Sequence, residues 1–138
     1  MTITAFDHYT VRCRDLRASW LFYEQALGLR AEERLGASAP GARVYIGELE
    51  VVNLFQASPE QEAIFRRLVP PDDEAAQWPT GRLQHVGFWA KGVEALRTRL
   101  TANAVAFRER TLADKHQFFL HDPDGVEIEV NFPLSEVG

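Results

Sequence analysis

The segment His121-Asp122-Pro123-Asp124-Gly125-Val126-Glu127-Ile128-Glu129-Val130-Asn131-Phe132 encodes a turn and then a strand. Pro123 fixes its φ near the value required at the second position of a turn, and Gly125 can take a positive φ at no steric cost. Beyond the turn, Val126, Ile128, Val130 and Phe132 alternate with Glu127, Glu129 and Asn131. Such a strand has one face on a core and the other lined with acids. The acidic face reads either as the wet side of an edge strand or as the wall of a site. The histidines elsewhere in the chain bear on that choice.

Working outward, Gln117 to Leu120 reads as the strand that enters the turn. Val105 to Glu109 reads as another, and Gly92 precedes a helix carrying Val93, Leu96 and Leu100. Further back, His85, Gly87 and Trp89 alternate with Val86, Phe88 and Ala90, again a strand. The N-terminal half repeats this order. Thr2 to Arg12 alternates, with Tyr9, Val11 and Cys13 on one face and His8, Thr10 and Arg12 on the other. Asp15 is a good N-cap, Leu16, Trp20, Tyr23 and Leu27 follow at helical spacing, and Gly28 stands where a helix stops. Strands are expected over 29–35, 42–46 and 51–56. Ser58-Pro59-Glu60-Gln61 opens a further helix striped by Ile64, Phe65 and Leu68, and the turn-rich stretch to Gly81 reads as a linker.

Placing His8 on His85 brings Val11 onto Phe88, Leu16 onto Val93 and Tyr23 onto Leu100. The last strands match as well, Val52-Asn53-Leu54-Phe55 against Ile128-Glu129-Val130-Asn131. The fold expected is α+β, two tandem βαβββ modules whose sheets form a cup. Residues 1–138 make one domain: module one over about 1–57, the linker with its helix over about 58–81, and module two over about 82–134. His8, His85 and Glu129 then project from the side of their strands opposite the apolar run. Two histidines and a carboxylate with open positions form the facial triad of non-haem Fe(II) sites, and related sets hold other divalent ions.

Composition bounds the function. Apolar residues make up 46% and charged residues 25%, as in ordinary globular proteins. The net charge of -5 and the lack of a basic patch argue against nucleic acid as a partner. No apolar stretch has the ~20 residues of a membrane span, and no signal-peptide pattern opens the chain, so a cytoplasmic protein is expected. The single cysteine, Cys13, reads as a buried small hydrophobe. Phe6, Trp89, Phe107 and Phe118 are candidates for lining the cup or for ordinary core; Trp78 reads as a cup cover or a surface residue.

The sequence resembles the vicinal oxygen chelate superfamily, the glyoxalase/bleomycin resistance/dioxygenase group. The resemblance rests on Asp7-His8-Tyr9-Thr10-Val11, on Phe22-Tyr23-Glu24-Gln25-Ala26-Leu27-Gly28-Leu29, on His85-Val86-Gly87-Phe88, and on Asp122-Pro123-Asp124-Gly125 running to Ile128-Glu129. It implies a divalent metal on His8, His85 and Glu129, with Fe2+ first and Mn2+, Ni2+, Co2+ or Zn2+ as the other ions. It also implies a small-molecule substrate with vicinal oxygens, chemistry like that of extradiol dioxygenases, and a homodimer. In that branch His116 is the candidate acid/base and Gln117 a substrate donor, while His121 serves the turn. Two alternatives remain: a lyase or epimerase of the glyoxalase kind, which Asn53 in place of a fourth acidic ligand disfavours, and a metal-free protein that sequesters a drug or metabolite.

Overall fold

A computed structural model describes residues 1–2, 4–36, 39–68 and 84–137. Trp78 and the 69–83 stretch of the linker lie outside the described residues, as do the side chains at 64–68. The elements run β1 (Tyr9–Arg12), α1 (Leu16–Leu21), a π-helical turn (Phe22–Ala26), β2 (Arg30–Glu33), β3 (Gly41–Ile46), β4 (Leu49–Phe55) and α2 (Pro59–Leu68). After the linker come β5 (Val86–Trp89), α3 (Val93–Ala102), β6 (Phe107–Thr111), β7 (Lys115–His121) and β8 (Glu127–Pro133).

The strands form two four-stranded sheets of the same topology, ordered β1-β4-β3-β2 and β5-β8-β7-β6. In each, the first strand runs parallel to the last and the others are antiparallel. The register repeats too: Thr10 faces Asn53 and Gly87 faces Glu129. The two βαβββ modules of an α+β fold are therefore realised, and Asn53 is the counterpart of Glu129.

Local chemistry explains the elements. Asp15 caps α1 by accepting the Ala18 N–H at 3.1 Å. Gln56 lends a second cap, its Oε1 accepting the Leu16 N–H at 3.0 Å. The Ser58 and Gln61 side chains cap one another's backbone N–H groups at the start of α2. The first helix does not run unbroken to Ala26, as the spacing of its apolar residues suggests. Its last turn widens, with the Leu27 N–H reaching back to the Phe22 carbonyl at 3.2 Å. Gly28 then reverses the chain with φ +72°, and a Cβ there would stand 3.0 Å from Arg99 Cζ. Gly28→Ala is expected to cost about 1–2 kcal/mol from the left-handed backbone alone, seen as a lower urea midpoint with an unchanged slope.

One core joins both modules. Val11, Tyr23, Val44, Val52 and Leu54 from the first meet Leu100, Phe118, Leu120, Ile128 and Phe132 from the second. Cys13 is buried in it, and burial pushes its thiol pKa up to about 11, away from a nucleophile's. Phe107 and Phe118 stack with centroids 5.4 Å apart on the core side. Of the four aromatics considered for the cup, only Phe6 and Trp89 are open to it or to solvent, at 74% and 67% exposure.

The Asp122–Val126 turn clasps the first module to the second. Gly125 has the positive φ expected, +87°. Asp122 Oδ1 accepts the N–H groups of Asp124 and Val126, each at 2.9 Å. Its Oδ2 accepts the Tyr23 hydroxyl at 2.9 Å, and Tyr23 in turn accepts the Tyr9 hydroxyl at 3.1 Å. Asp124 accepts the Ser19 hydroxyl and the Arg14 N–H, both at 3.0 Å.

Candidate functional site

Strand β8 is not an edge strand: it lies between β5 and β7, so its acids are set into a sheet. Glu129 is 8% and Asn131 7% exposed, lower than a solvated face would give. The face opposite the core can be read from the pairing. One row across the sheet holds Gly87, Glu129, Phe119 and Arg108; the next holds Trp89, Asn131, Gln117 and Arg110. Glycine at position 87 leaves space above the carboxylate, because a Cβ there would stand 4.0 Å from Glu129 Oε1.

His85, just before β5, brings its Nε2 to 3.2 Å from Glu129 Oε2. The other ring nitrogen, Nδ1, is paired with Gln84 Oε1. Gln84 has little choice of orientation, because its Nε2 donates to Glu127. A carboxylate accepts only, so the amide oxygen is the end presented to His85, and His85 Nδ1 is the donor. In a neutral ring the Nε2 lone pair then faces an anionic oxygen. That arrangement needs a proton or a cation between the two atoms. With metal–nitrogen and metal–oxygen bonds of about 2.0–2.2 Å, two adjacent ligands stand roughly 3 Å apart, so the pair fits a divalent ion. Glu127 is less suited, being engaged by Gln84 and by Arg108 Nη2 at 3.6 Å.

His8 holds the matching position in module one. Its Nδ1 is 2.6 Å from Asp7 Oδ2, which leaves Nε2 as the free ring nitrogen. Both histidines are thus oriented through Nδ1 by the side chain of the preceding residue. Metal-binding histidines are commonly held this way by an outer carboxylate or carbonyl. The chain does not bring His8 to His85 and Glu129: among the described residues no three His, Cys, Asp or Glu side chains could hold one ion together. Asn53 offers no fourth donor, its Oδ1 accepting Arg34 Nη1 at 3.0 Å.

Two expectations need correction. His116 pairs with Phe132 in register and shares the core face with Phe118 and Leu120, the opposite side of the sheet from Glu129. It is 6% exposed, and its two ring nitrogens meet Thr111 Oγ1 at 2.8 Å and Glu109 Oε1 at 3.1 Å. Glu109 is itself held below the ordinary carboxylate range, chiefly by its hydrogen bonds from Arg97. An acid/base role at Glu129 is closed to His116. Gln117 is on the right face but 2% exposed, accepting Arg110 Nε at 2.7 Å and donating to Asn131 Oδ1 at 2.8 Å. It steers Arg110 and does not present a donor to a substrate. The histidine of β7 that does share the Glu129 face is His121, opposite Glu127. Alternation from Phe118 and Leu120 would have separated the two histidines. Arg108 and Arg110 share that face with Phe119, and β6 runs two residues later than its sequence pattern suggests.

The sequence profile of the Glyoxalase/Bleomycin resistance protein/Dioxygenase superfamily matches residues 5–130, and the chain belongs to that superfamily. Among solved structures it resembles a glyoxylase/bleomycin resistance protein/dioxygenase domain from Frankia sp. EAN1pec, with TM-score 0.70 and 17% identity over 96% of this chain and 93% of that one. It also resembles TnmS3, an antibiotic binding protein from Streptomyces sp. CB03234, with TM-score 0.64 and 20% identity over 96% and 98%. A third similar structure is FosX, a genomically encoded fosfomycin resistance protein from Listeria monocytogenes, with TM-score 0.64 and 17% identity over 94% and 91%. Identities this low carry the fold and not the reaction. No curated protein sequence matches the chain. Among the described residues no helix is long and apolar enough to cross a membrane.

Proposed function

We propose that the protein is a metal-dependent enzyme acting on a small molecule with two adjacent oxygens, closest in kind to extradiol dioxygenases. His85 and Glu129 of one copy would hold the ion together with His8 of a second copy. The observation that carries this reading is the Nε2-to-carboxylate approach of 3.2 Å, with Nδ1 turned away to Gln84. The ion, Fe2+ first among the divalent candidates, would act as Lewis acid and template for the two oxygens. The protein's own part is positioning. Asp7 and Gln84 fix the two imidazoles, Gly87 keeps the space over Glu129 open, and Trp89 offers an exposed apolar wall. His121 takes the place expected of His116 as the proton-handling histidine on this face. The engagement of Asn53 by Arg34 weighs against a glyoxalase-type lyase, which calls for a further ligand or base there.

Metal content by mass spectrometry, on protein purified without chelator or a metal-binding tag, tests the proposal. About one first-row ion per chain is expected, lost in His85→Ala. Full metal retention by a folded His85→Ala would overturn the assignment. Protein that takes up no metal, yet binds a ligand tightly in chelator and forms no product, would be a sequestering protein instead.

A further inference from the structure

We propose that Arg110, backed by Arg108, binds a carboxylate carried by the substrate, so that the substrate class is a compact acid with vicinal oxygens at its far end. This deepens the reading of His85 and Glu129 as a metal pair and rests on it for the far end only. Arg108 and Arg110 occupy alternate positions of β6 and so point from one face of the sheet. Both guanidinium groups lie against the same ring, 5.4 and 4.9 Å from the Phe119 centroid. Two like charges held side by side repel one another. Around them and Phe119 the surface forms an open cavity that Gln84, Glu109 and Glu127 also line.

The acids nearby do not balance this charge. Glu127 is taken by Gln84 and by Arg108. Glu109 borders the cavity, but its carboxylate is engaged by Arg97 and His116. Arg110 spends its Nε on the neutral amide of Gln117, which is itself fixed by Asn131. Its two Nη groups have no partner among the described residues. A guanidinium held by one edge, with its terminal nitrogens free, presents the planar fork that a carboxylate fits. The sheet register sets the spacing. Arg110 stands two strands from Glu129 and one row further along, opposite Gln117, so the acid site and the metal pair are about 12 Å apart between backbones. After the side chains lean in, one aromatic or sugar-sized ring spans the gap.

Isothermal titration of the Zn2+-loaded protein with 3,4-dihydroxybenzoate and with catechol tests this; zinc keeps both probes unoxidised. The native protein is expected to bind the acid at least about tenfold more tightly than catechol, the equivalent of one charge-assisted contact. Arg110→Gln is expected to bring the two within about twofold while catechol binding persists. Arg110→Lys should keep only part of the preference, because an ammonium supplies the charge but not the two-pronged contact. Arg110→Met serves if the glutamine variant misfolds. Equal binding of the two probes by the native protein, a preference that survives Arg110→Gln, or no binding of either probe would each overturn the proposal. Zinc content of the same samples separates the two readings. Zinc-free protein that still prefers the acid through Arg110 removes the metal pair and keeps this site; zinc-loaded protein without the preference does the reverse.

Discussion

Chains carrying His8→Ala and chains carrying Glu129→Ala are each expected to lose the bound divalent ion, and a mixture of the two is expected to regain it. The reasoning is geometric. His8 and His85 are equivalent in the repeat, each two residues ahead of the position that faces Asn53 or Glu129. Each is oriented through Nδ1 with Nε2 as the available donor. Yet a single chain does not gather three ligands among its described residues. A two-fold pairing that sets the open face of one copy's first module against the open face of its partner's second would supply the missing histidine at two identical sites. In a random mixture half the dimers are mixed, and one of the two sites in each holds all three native ligands. About a quarter of the sites should then fill, as a symmetric dimer requires. Metal content after unfolding and refolding the two variants together, against each refolded alone, reads this directly. If both variants keep full occupancy, the three-ligand assignment fails. Recovery of nothing in the mixture would mean that the ligands do not come from two copies.

Asp122→Ala is expected to be the most destabilising single change away from the hydrophobic core. The 4%-exposed carboxylate satisfies three donors, the N–H groups of Asp124 and Val126 and the Tyr23 hydroxyl. Each buried donor left without an acceptor costs about 1–3 kcal/mol, so a loss of at least about 2 kcal/mol follows where water takes over one of the three. Against a total stability of about 5–15 kcal/mol this is a large share. Urea unfolding followed by circular dichroism would measure it, and a shift below about 1 kcal/mol would deny Asp122 its bridging role.

The same carboxylate shapes the pH dependence. Burial holds it above its ordinary value, more strongly than the donors from Val126, Tyr23 and Asp124 pull it down. The native state therefore binds this proton more tightly than the unfolded chain. Its contribution is fully present below the ordinary carboxylate value and is lost as pH rises through the raised one. Asp122→Asn keeps an oxygen for the two backbone donors and cannot titrate. Its stability relative to the native protein should therefore rise with pH across that window. A difference that stays flat with pH would show that the native carboxyl is not perturbed.

Much of the architecture could be read from local pattern. The Asp122–Gly125 turn, the alternation after it and the phase shared by His8 and His85 give the order of elements, and both modules follow that order. Element ends are less legible: the first strand is Tyr9–Arg12, far shorter than the alternation from Thr2. The π-helical turn after Leu21 likewise leaves no mark in the helical spacing. The facing of Glu129 was legible, because periodicity alone decides it. The reading failed where chemistry was allowed to outrank periodicity, as for His116, whose alternation with Gln117 already placed it beside Phe118. What no local pattern carries is contact between distant residues. The Tyr23–Asp122 bond, the union of Arg108 and Arg110 on Phe119, and the separation of His8 from His85 all depend on how the sheets are laid against other elements.

The clasp between α1 and the last turn also bears on how the protein is made. Ser19 and Tyr23 are fully buried, and their hydroxyls donate to Asp124 and Asp122. A ribosome delivers those acceptors 99 and 105 residues after the hydroxyls that need them. Until then those two hydroxyls lack these acceptors. The first module's own strands can pair early and α1 can dock on β3 and β4, but the helix gains its polar anchors only when the last turn arrives. Contacts across such long stretches of chain slow folding. A chain that stops ahead of Asp122 is expected to be proteolysed more readily than the native protein, because its first module lacks the acceptors of Ser19 and Tyr23.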